Sequence, residues 1–388
     1  LSGAAIAANH ELVVSLQRMN RILKIDTIGM TVEVESGVIL EELQNKVKEA
    51  GLDLPLDFAA KGSAQIGGCV ATNAGGIKVI KHGMTRDIVL GLEVVLMNGE
   101  ILNLNKKLVK DNSGYALHQL FIGSEGTLGI ISKVTLKCIA AAKKKEMILM
   151  ATDSFKNVPE LFRRLRENNF DLLIFEFFSG KGLNLVLDHN NQLSTPFSEE
   201  YPFYMLTEIA DLDDERLMDF FEKVSEAGLL MDANRAESSA EAANLLALRE
   251  NISESISLTA QVHKNDISVP VAQLSNFTAK LEQLISEKYT DYELILFGHI
   301  GDGNIHVNIL NSKQIGQDQF RSEMKILDND MFALISSLGG SISAEHGIGL
   351  LKKDGLKFRR SELEIRLMKQ IKAIFDPKKL LNPGKIFD

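Results

Sequence analysis

Cysteine is scarce in this 388-residue chain, with Cys69 and Cys138 the only two. Two cysteines without CxxC spacing exclude a disulfide framework and suit a reducing compartment, the cytoplasm or the mitochondrial matrix. Long apolar runs are missing as well. No window offers the roughly 18 apolar residues of a membrane-spanning helix, since even Ile88 to Met97 carries Glu93. Long basic runs are also absent, and with a net charge of -9 this argues against nucleic acid as the main partner. No internal repeat or low-complexity tract is visible. The chain begins Leu1-Ser2-Gly3-Ala4-Ala5, without an initiator methionine or a basic stretch. It reads as lacking an upstream segment rather than as carrying a signal peptide.

What is present is enough for two hydrophobic cores. The length exceeds what one core serves, and 45% of the residues are hydrophobic. Residues 1–140 are dense in glycine and in alternating β patterns. Short strands are expected at 12–16 and 31–35, and an amphipathic helix at 40–50 ended by Gly51. A hairpin over 89–104 turns at Asn98-Gly99, and an alternating strand covers 130–138. The run Lys143-Lys144-Lys145 then reads as a solvated linker. Beyond it, strands at 172–178 and 204–209 mix with helical patterns at 214–227 and 240–258. The expected division is 1–140, 141–375 and a C-terminal segment, 376–388.

The densest chemistry lies in Gly298-His299-Ile300-Gly301-Asp302-Gly303-Asn304-Ile305-His306, followed downstream by Glu345-His346. A strand, a turn over 301–304 and a returning strand would pair Ile300 with Ile305, so that His299 faces His306. Opposed residues of an antiparallel pair have Cβ atoms about 4.5–5.5 Å apart, which lets two imidazoles share one ion. Asn308 falls on that face, two residues on. Glu345 can add a carboxylate oxygen, giving a two-histidine, one-carboxylate set with a coordination position left open. Zinc suits those ligands, as do manganese and iron(II). Taken singly, either histidine would more often be a hydrogen-bonded core residue than a ligand. His10, His82, His118, His189 and His263 carry no metal spacing, although His82 follows the first glycine cluster.

That cluster places five glycines, Gly62, Gly67, Gly68, Gly75 and Gly76, in the sixteen residues from Lys61 to Gly76. Glycine lets backbone approach a ligand, and successive N–H groups can hold phosphate oxygens. A second cluster, Gly123-Ser124-Glu125-Gly126-Thr127-Leu128-Gly129, leads into a strand. It has no lysine, so it is not a P-loop, and the first cluster lacks the order of a Rossmann unit. Both clusters also read as plain tight turns. On the 240–258 pattern Arg249 and Ser253 lie four apart beside an apolar face of Leu245, Leu248, Ile252 and Ile256. They can point at one ligand, with Lys264 adding a second cation, or else stand as a solvated arginine and a surface lysine.

The order of these segments resembles the FAD-linked 2-hydroxy-acid dehydrogenases. The residues that carry the likeness are Gly62-Ser63 with Ile66-Gly67-Gly68, Thr72-Asn73-Ala74-Gly75-Gly76, Arg86-Asp87, Lys110-Asp111-Asn112 with Gly114-Tyr115, Gly123 to Gly129, and the HxGDGNxH stretch. The resemblance runs from Leu1 to Phe387. It implies an α+β fold: a vanillyl-alcohol-oxidase-type FAD-binding domain, truncated at its N-terminus, and a C-terminal substrate-capping domain built on an antiparallel sheet. Most of one flavin subdomain would then lie outside the chain, only Leu1-Ser2-Gly3 remaining of a glycine-rich upstream loop.

The resemblance also implies roles. The FAD site would comprise Gly62, Ser63, Gly67, Gly68, Thr72, Asn73, Gly75, Gly76, Glu125, Gly126, Gly129, Ile131 and Asn382. His299, His306 and Glu345 would hold a zinc-class ion, and Arg249, Ser253, Lys264 and Asn308 the substrate. Ser253 stands where threonine is common, and both supply a hydroxyl. His346 would be the base, taking the hydroxyl proton of a D-2-hydroxy acid as its C2 hydride passes to the flavin. D-2-hydroxyglutarate leads D-lactate as substrate. An electron-transfer flavoprotein or a quinone would accept the electrons, and the assembly, a homodimer or another state, is left open. Residues 382–385, Asn-Pro-Gly-Lys, match a segment near the flavin or form an ordinary helix-terminating turn. Two other readings stay open: a zinc-dependent hydrolase, and a metal-binding fragment without redox activity.

Overall fold

The computed structural model describes residues 2–141 and 144–387. The chain forms two compact units, Leu1–Ala141 with Glu345–Asp388, and Ala142–Ala344. The sequence division at 375 therefore differs from the structure, which groups residues 345–388 with the N-terminal unit. Lys143 of the supposed linker lies outside the described residues, and Lys145 already opens a strand.

The first unit carries strands β1 (Ile22–Asp26), β2 (Thr31–Glu35), β3 (Leu52–Asp53), β4 (Val89–Val95), β5 (Ile101–Asn103), β6 (Ile130–Lys137) and β7 (Ile139–Ala140). Five form an antiparallel sheet in the order β1-β2-β6-β4-β5, and β3 pairs with β7. Alternation along the strands sends Val32, Val34, Leu92, Val94, Val134 and Leu136 inward. There they meet Leu40, Leu43 and Val47 of the helix Leu40–Glu49, together with Ile66 and Val70. Asn98-Gly99 turns the β4–β5 hairpin as expected. The strand expected at 12–16 does not form. Those residues pair with no strand, and Leu12 is 90% exposed, so their alternation has no surface to bury.

The second unit is built on β8 (Lys145–Thr152), β9 (Asp171–Ser179), β10 (Phe203–Ala210), β11 (Asp232–Arg235), β12 (Val262–Ser268), β13 (Glu293–His299) and β14 (Asn304–Leu310). They pair antiparallel in the order β11-β8-β10-β9-β13-β14-β12. Helices Gly180–His189, Ser239–Glu250 and Ile252–Thr259 cover one face, packing Leu183, Leu248, Ile252 and Ile256 on Phe178, Leu206, Ile295 and Phe297. On the other face Phe162 lies against Phe175, ring centroids 5.1 Å apart. Burial on both faces explains why residues 172–178 read as an almost unbroken apolar run.

Two expectations are corrected here. The helical pattern over 240–258 is two helices, broken at Asn251, whose side-chain amide donates to the Ala247 carbonyl at 2.8 Å. The β13–β14 register places His306 opposite Phe297 and Asn308 opposite Ile295, not His306 opposite His299. The turn is four residues long but spans 300–303, one residue earlier than expected, because Ile300–Asp302 form a 3-10 turn and Gly303 is left-handed, with φ 83°. The slip is two residues. Side chains alternate with period two, so both histidines keep the same face and become diagonal neighbours.

Candidate functional site

The sheet face under Ser239–Glu250 and Ile252–Thr259 gathers the polar residues of the second unit. His299 and His306 have ring centroids 5.4 Å apart at an interplanar angle of 82°. His299 is 7% exposed and pairs across β13–β9 with Glu176, which is 1% exposed. One Glu176 oxygen lies 2.5 Å from His299 Nδ1, and the other lies 2.8 Å from the Arg249 guanidinium. Burial pushes the Glu176 carboxyl up, but His299 and Arg249 outweigh it and hold the group below its ordinary value. On β12 Asp266 faces His306, with 3.8 Å between Oδ1 and Nδ1, and it accepts the Asn304 amide at 2.7 Å. Asp302, in the turn, is pushed up to about 6 by burial.

Arg249 ends the first of the two helices and Ser253 opens the second, so the break, not one continuous face, sets their relative direction. The arginine is 7% exposed, with its guanidinium carbon 4.6 Å from the Phe297 ring centroid and its Nε buried without a hydrogen-bond partner. It is not a solvated helix arginine. Lys264 Nζ donates to the Ser253 carbonyl and hydroxyl, each at 2.9 Å, and to the Ser257 hydroxyl at 2.8 Å. These partners are neutral, and half-burial lowers the lysine's pKa. Asn308 pairs with Lys264 across β14–β12, and its amide donates to the Ile295 and His306 carbonyls at 3.3 and 3.2 Å.

Glu176 and Ser257 did not emerge from sequence reasoning. For Glu176 a signal existed: a lone carboxylate inside Leu-Leu-Ile-Phe-Glu-Phe-Phe is a charge in a strand that is otherwise all core.

In the first unit the glycine segment is less open than its composition suggests. Residues Ile66–Thr72 form a helix, ended by Asn73 in the left-handed region. Asn73 Oδ1 accepts the Arg86 N–H at 2.8 Å, and the Arg86 guanidinium donates to the Gln119 and Ile122 carbonyls at 3.0 and 2.7 Å, bracing the Gly123 turn. Gly67 and Gly129 are packing glycines, since a Cβ would lie 2.6 Å from Ser36 Cβ and 2.4 Å from Val94 Cγ1 respectively. Gly76 has φ 155°, and a Cβ there would lie 2.1 Å from the Asp57 carbonyl oxygen. Gly62 and Ser63 end a 3-10 turn at the surface, and Ile131 is buried in β6. Thr72 donates to the Gly68 carbonyl at 3.0 Å, and Gly75 packs beside the Glu345 carboxylate. Gly68 has nothing within 4 Å of an added Cβ, and Gly126 only Asn382, at 3.8 Å. Those two leave bare backbone for a ligand to approach, which fits a pyrophosphate.

Glu125 does something its motif did not reveal. Its carboxylate accepts the backbone N–H groups of Ile348 and Gly349, both at 2.7 Å. Asn382 donates to the Glu125 carbonyl at 2.6 Å and to the Ala4 carbonyl at 2.9 Å. Ser2 Oγ donates to the carbonyl of His346 at 2.8 Å. The segment bearing Glu345 and His346 is thus held from both sides within its own unit.

Comparison with known proteins yields two family matches: residues 141–386 match "FAD linked oxidases, C-terminal domain", and residues 1–105 match "FAD binding domain". A protein named D-2-hydroxyglutarate dehydrogenase from Stutzerimonas stutzeri is 42% identical, covering 100% of this chain and 83% of that protein. The mitochondrial D-2-hydroxyglutarate dehydrogenase of Rattus norvegicus is 37% identical, covering 99% and 71%. Among solved structures, alkyldihydroxyacetonephosphate synthase superposes with a TM-score of 0.68 at 17% identity, over 96% of this chain and 68% of that one. That likeness concerns the fold alone. No helix among the described residues is long and apolar enough to cross a membrane.

Proposed function

The chain belongs to the FAD-linked oxidase family, and from that premise we propose that it oxidises D-2-hydroxyglutarate to the 2-oxo acid. The observation that carries the substrate is a pair of cations differing in their partners. Arg249 shares its charge with Glu176, whereas Lys264 rests on hydroxyls and a carbonyl. A dicarboxylate offers each a carboxylate, and D-lactate has only one to give. Charge-assisted hydrogen bonds of this type contribute about 1.5–3 kcal/mol each. Ser253 and Asn308 complete the substrate contacts in this reading.

The metal reading is supported by the donor set. His299 and His306 share one sheet face of the second unit, and in this reading Glu345 adds a carboxylate oxygen to them, a donor set that suits zinc first and manganese or iron(II) as alternatives. A bound ion would polarise the substrate's hydroxyl. His346 takes the hydroxyl proton as the base. Bound FAD supplies the two-electron acceptor, and in this reading the bare backbone at Gly68 and Gly126, with Thr72, Asn73, Gly75 and Asn382, contacts it. The electrons pass on to an electron-transfer flavoprotein or a quinone.

The test is kinetic. In flavin-replete protein His346→Asn lowers kcat for D-2-hydroxyglutarate by at least about 100-fold, and wild type prefers D-2-hydroxyglutarate to D-lactate in kcat/KM. Turnover by His346→Asn near the wild-type rate would remove the base assignment. Preference for D-lactate would remove the dicarboxylate.

A further inference from the structure

We infer that Glu176 is a positioning residue that serves the metal and the substrate together, through one carboxylate divided between His299 and Arg249. The inference rests on the metal reading above and concerns a residue outside the proposed ligand and substrate sets. Strand pairing builds the arrangement: Glu176 and His299 are register partners across β9–β13. Arg249 reaches the same group from the helix on that face, and its guanidinium lies over Phe297, two residues before His299. An ionised carboxylate only accepts hydrogen bonds. The nitrogen 2.5 Å from it, Nδ1 of His299, therefore carries the proton, and the lone pair lies on Nε2. A histidine ligand whose other nitrogen donates to a carboxylate is fixed in tautomer and ring orientation and made a more basic donor.

The second oxygen does a different task. Arg249 is buried with its Nε lacking a hydrogen-bond partner, and its terminal nitrogen lies 2.8 Å from the second Glu176 oxygen as an ion pair. That contact compensates the arginine's charge in the apolar surroundings of Leu245, Leu248 and Phe297. Glutamine cannot replace glutamate in both tasks. Its amide oxygen accepts from one donor, and its NH2 then faces the other.

Two measurements on the full chain test this. In metal-free wild type with 15N-labelled histidine, the His299 ring shows the Nδ1–H tautomer. The Nε2–H tautomer would overturn the inference and requires no variant to fold. In the second measurement zinc affinity is read by competition with a chromophoric chelator, beside the far-UV circular dichroism and melting midpoint of each protein. Wild type takes up zinc, and Glu176→Gln binds it about 10–100-fold more weakly, with KM for D-2-hydroxyglutarate raised as well. Glu176→Gln that folds and binds zinc as tightly as wild type defeats the inference and leaves the metal reading standing. Wild type that takes up no zinc, manganese or iron(II) defeats the metal reading, and this inference with it.

Discussion

Arg249 carries a prediction about stability and Lys264 one about pH. Removing the guanidinium in Arg249→Met leaves Glu176 buried with His299 as its remaining partner. Breaking a buried ion pair in this way costs about 3–5 kcal/mol, so the melting midpoint falls by several degrees while KM rises at least about tenfold. A midpoint equal to that of wild type would show that Glu176 does not need the arginine. Lys264 is half-buried among neutral oxygens, and burial depresses its pKa. In the proposed role it binds a carboxylate only while protonated, so kcat/KM is expected to be full at lower pH and to fall as pH rises through a value below the ordinary lysine figure of about 10.4. Lys264→Arg, which stays charged, abolishes that alkaline limb; a limb unchanged in the variant would point to another group. Residue type made the candidates for the proposed clamp legible, because cations at 249 and 264 stand out against an apolar helix face and a strand. Which oxygen each cation would meet was not legible, since that depends on the break at Asn251 and on Glu176, two strands away from Lys264's neighbour β14.

The β13–β14 hairpin shows what a single element gives away and what it hides. Gly-Asp-Gly-Asn marked the turn, and the flanking branched residues marked both strands. The exact opposition did not follow, because the chain spends Ile300–Asp302 in a 3-10 turn that composition does not announce. The face was still right, for a slip of two preserves it. Gly303 closes the turn, and its conformation is one that only glycine adopts without strain. An added Cβ would lie 2.1 Å from the Val269 carbonyl oxygen at φ 83°. Gly303→Ala is expected to cost about 2 kcal/mol or more and to weaken zinc binding by displacing His306. Unchanged melting and unchanged zinc affinity would contradict the role given to the turn. The Glu125 turn behaves likewise in the other unit: Glu125→Ala orphans the N–H groups of Ile348 and Gly349. With His346 poorly placed, kcat is expected to fall more than KM rises; the reverse split would assign Glu125 to substrate binding.

At the scale of the molecule, the order of motifs along the chain carried more than any one motif. Isolated, the glycine clusters read as tight turns, and the structure shows that Gly67, Gly76 and Gly129 do serve packing. Membership of the FAD-linked oxidase family takes the place of the hydrolase reading. The division at residue 375 was not legible, because the return of 345–388 to the first unit is made by long-range contacts such as Lys372 to the Thr127 carbonyl at 2.7 Å. Substrate oxidation that depends on a metal is the central claim, and the flavin's visible absorption reads it directly. Under anaerobic conditions D-2-hydroxyglutarate bleaches the band of the metal-loaded, flavin-replete protein. After chelation the same addition leaves the band intact, and zinc restores the bleaching. Bleaching at the same rate after complete metal removal would contradict the account.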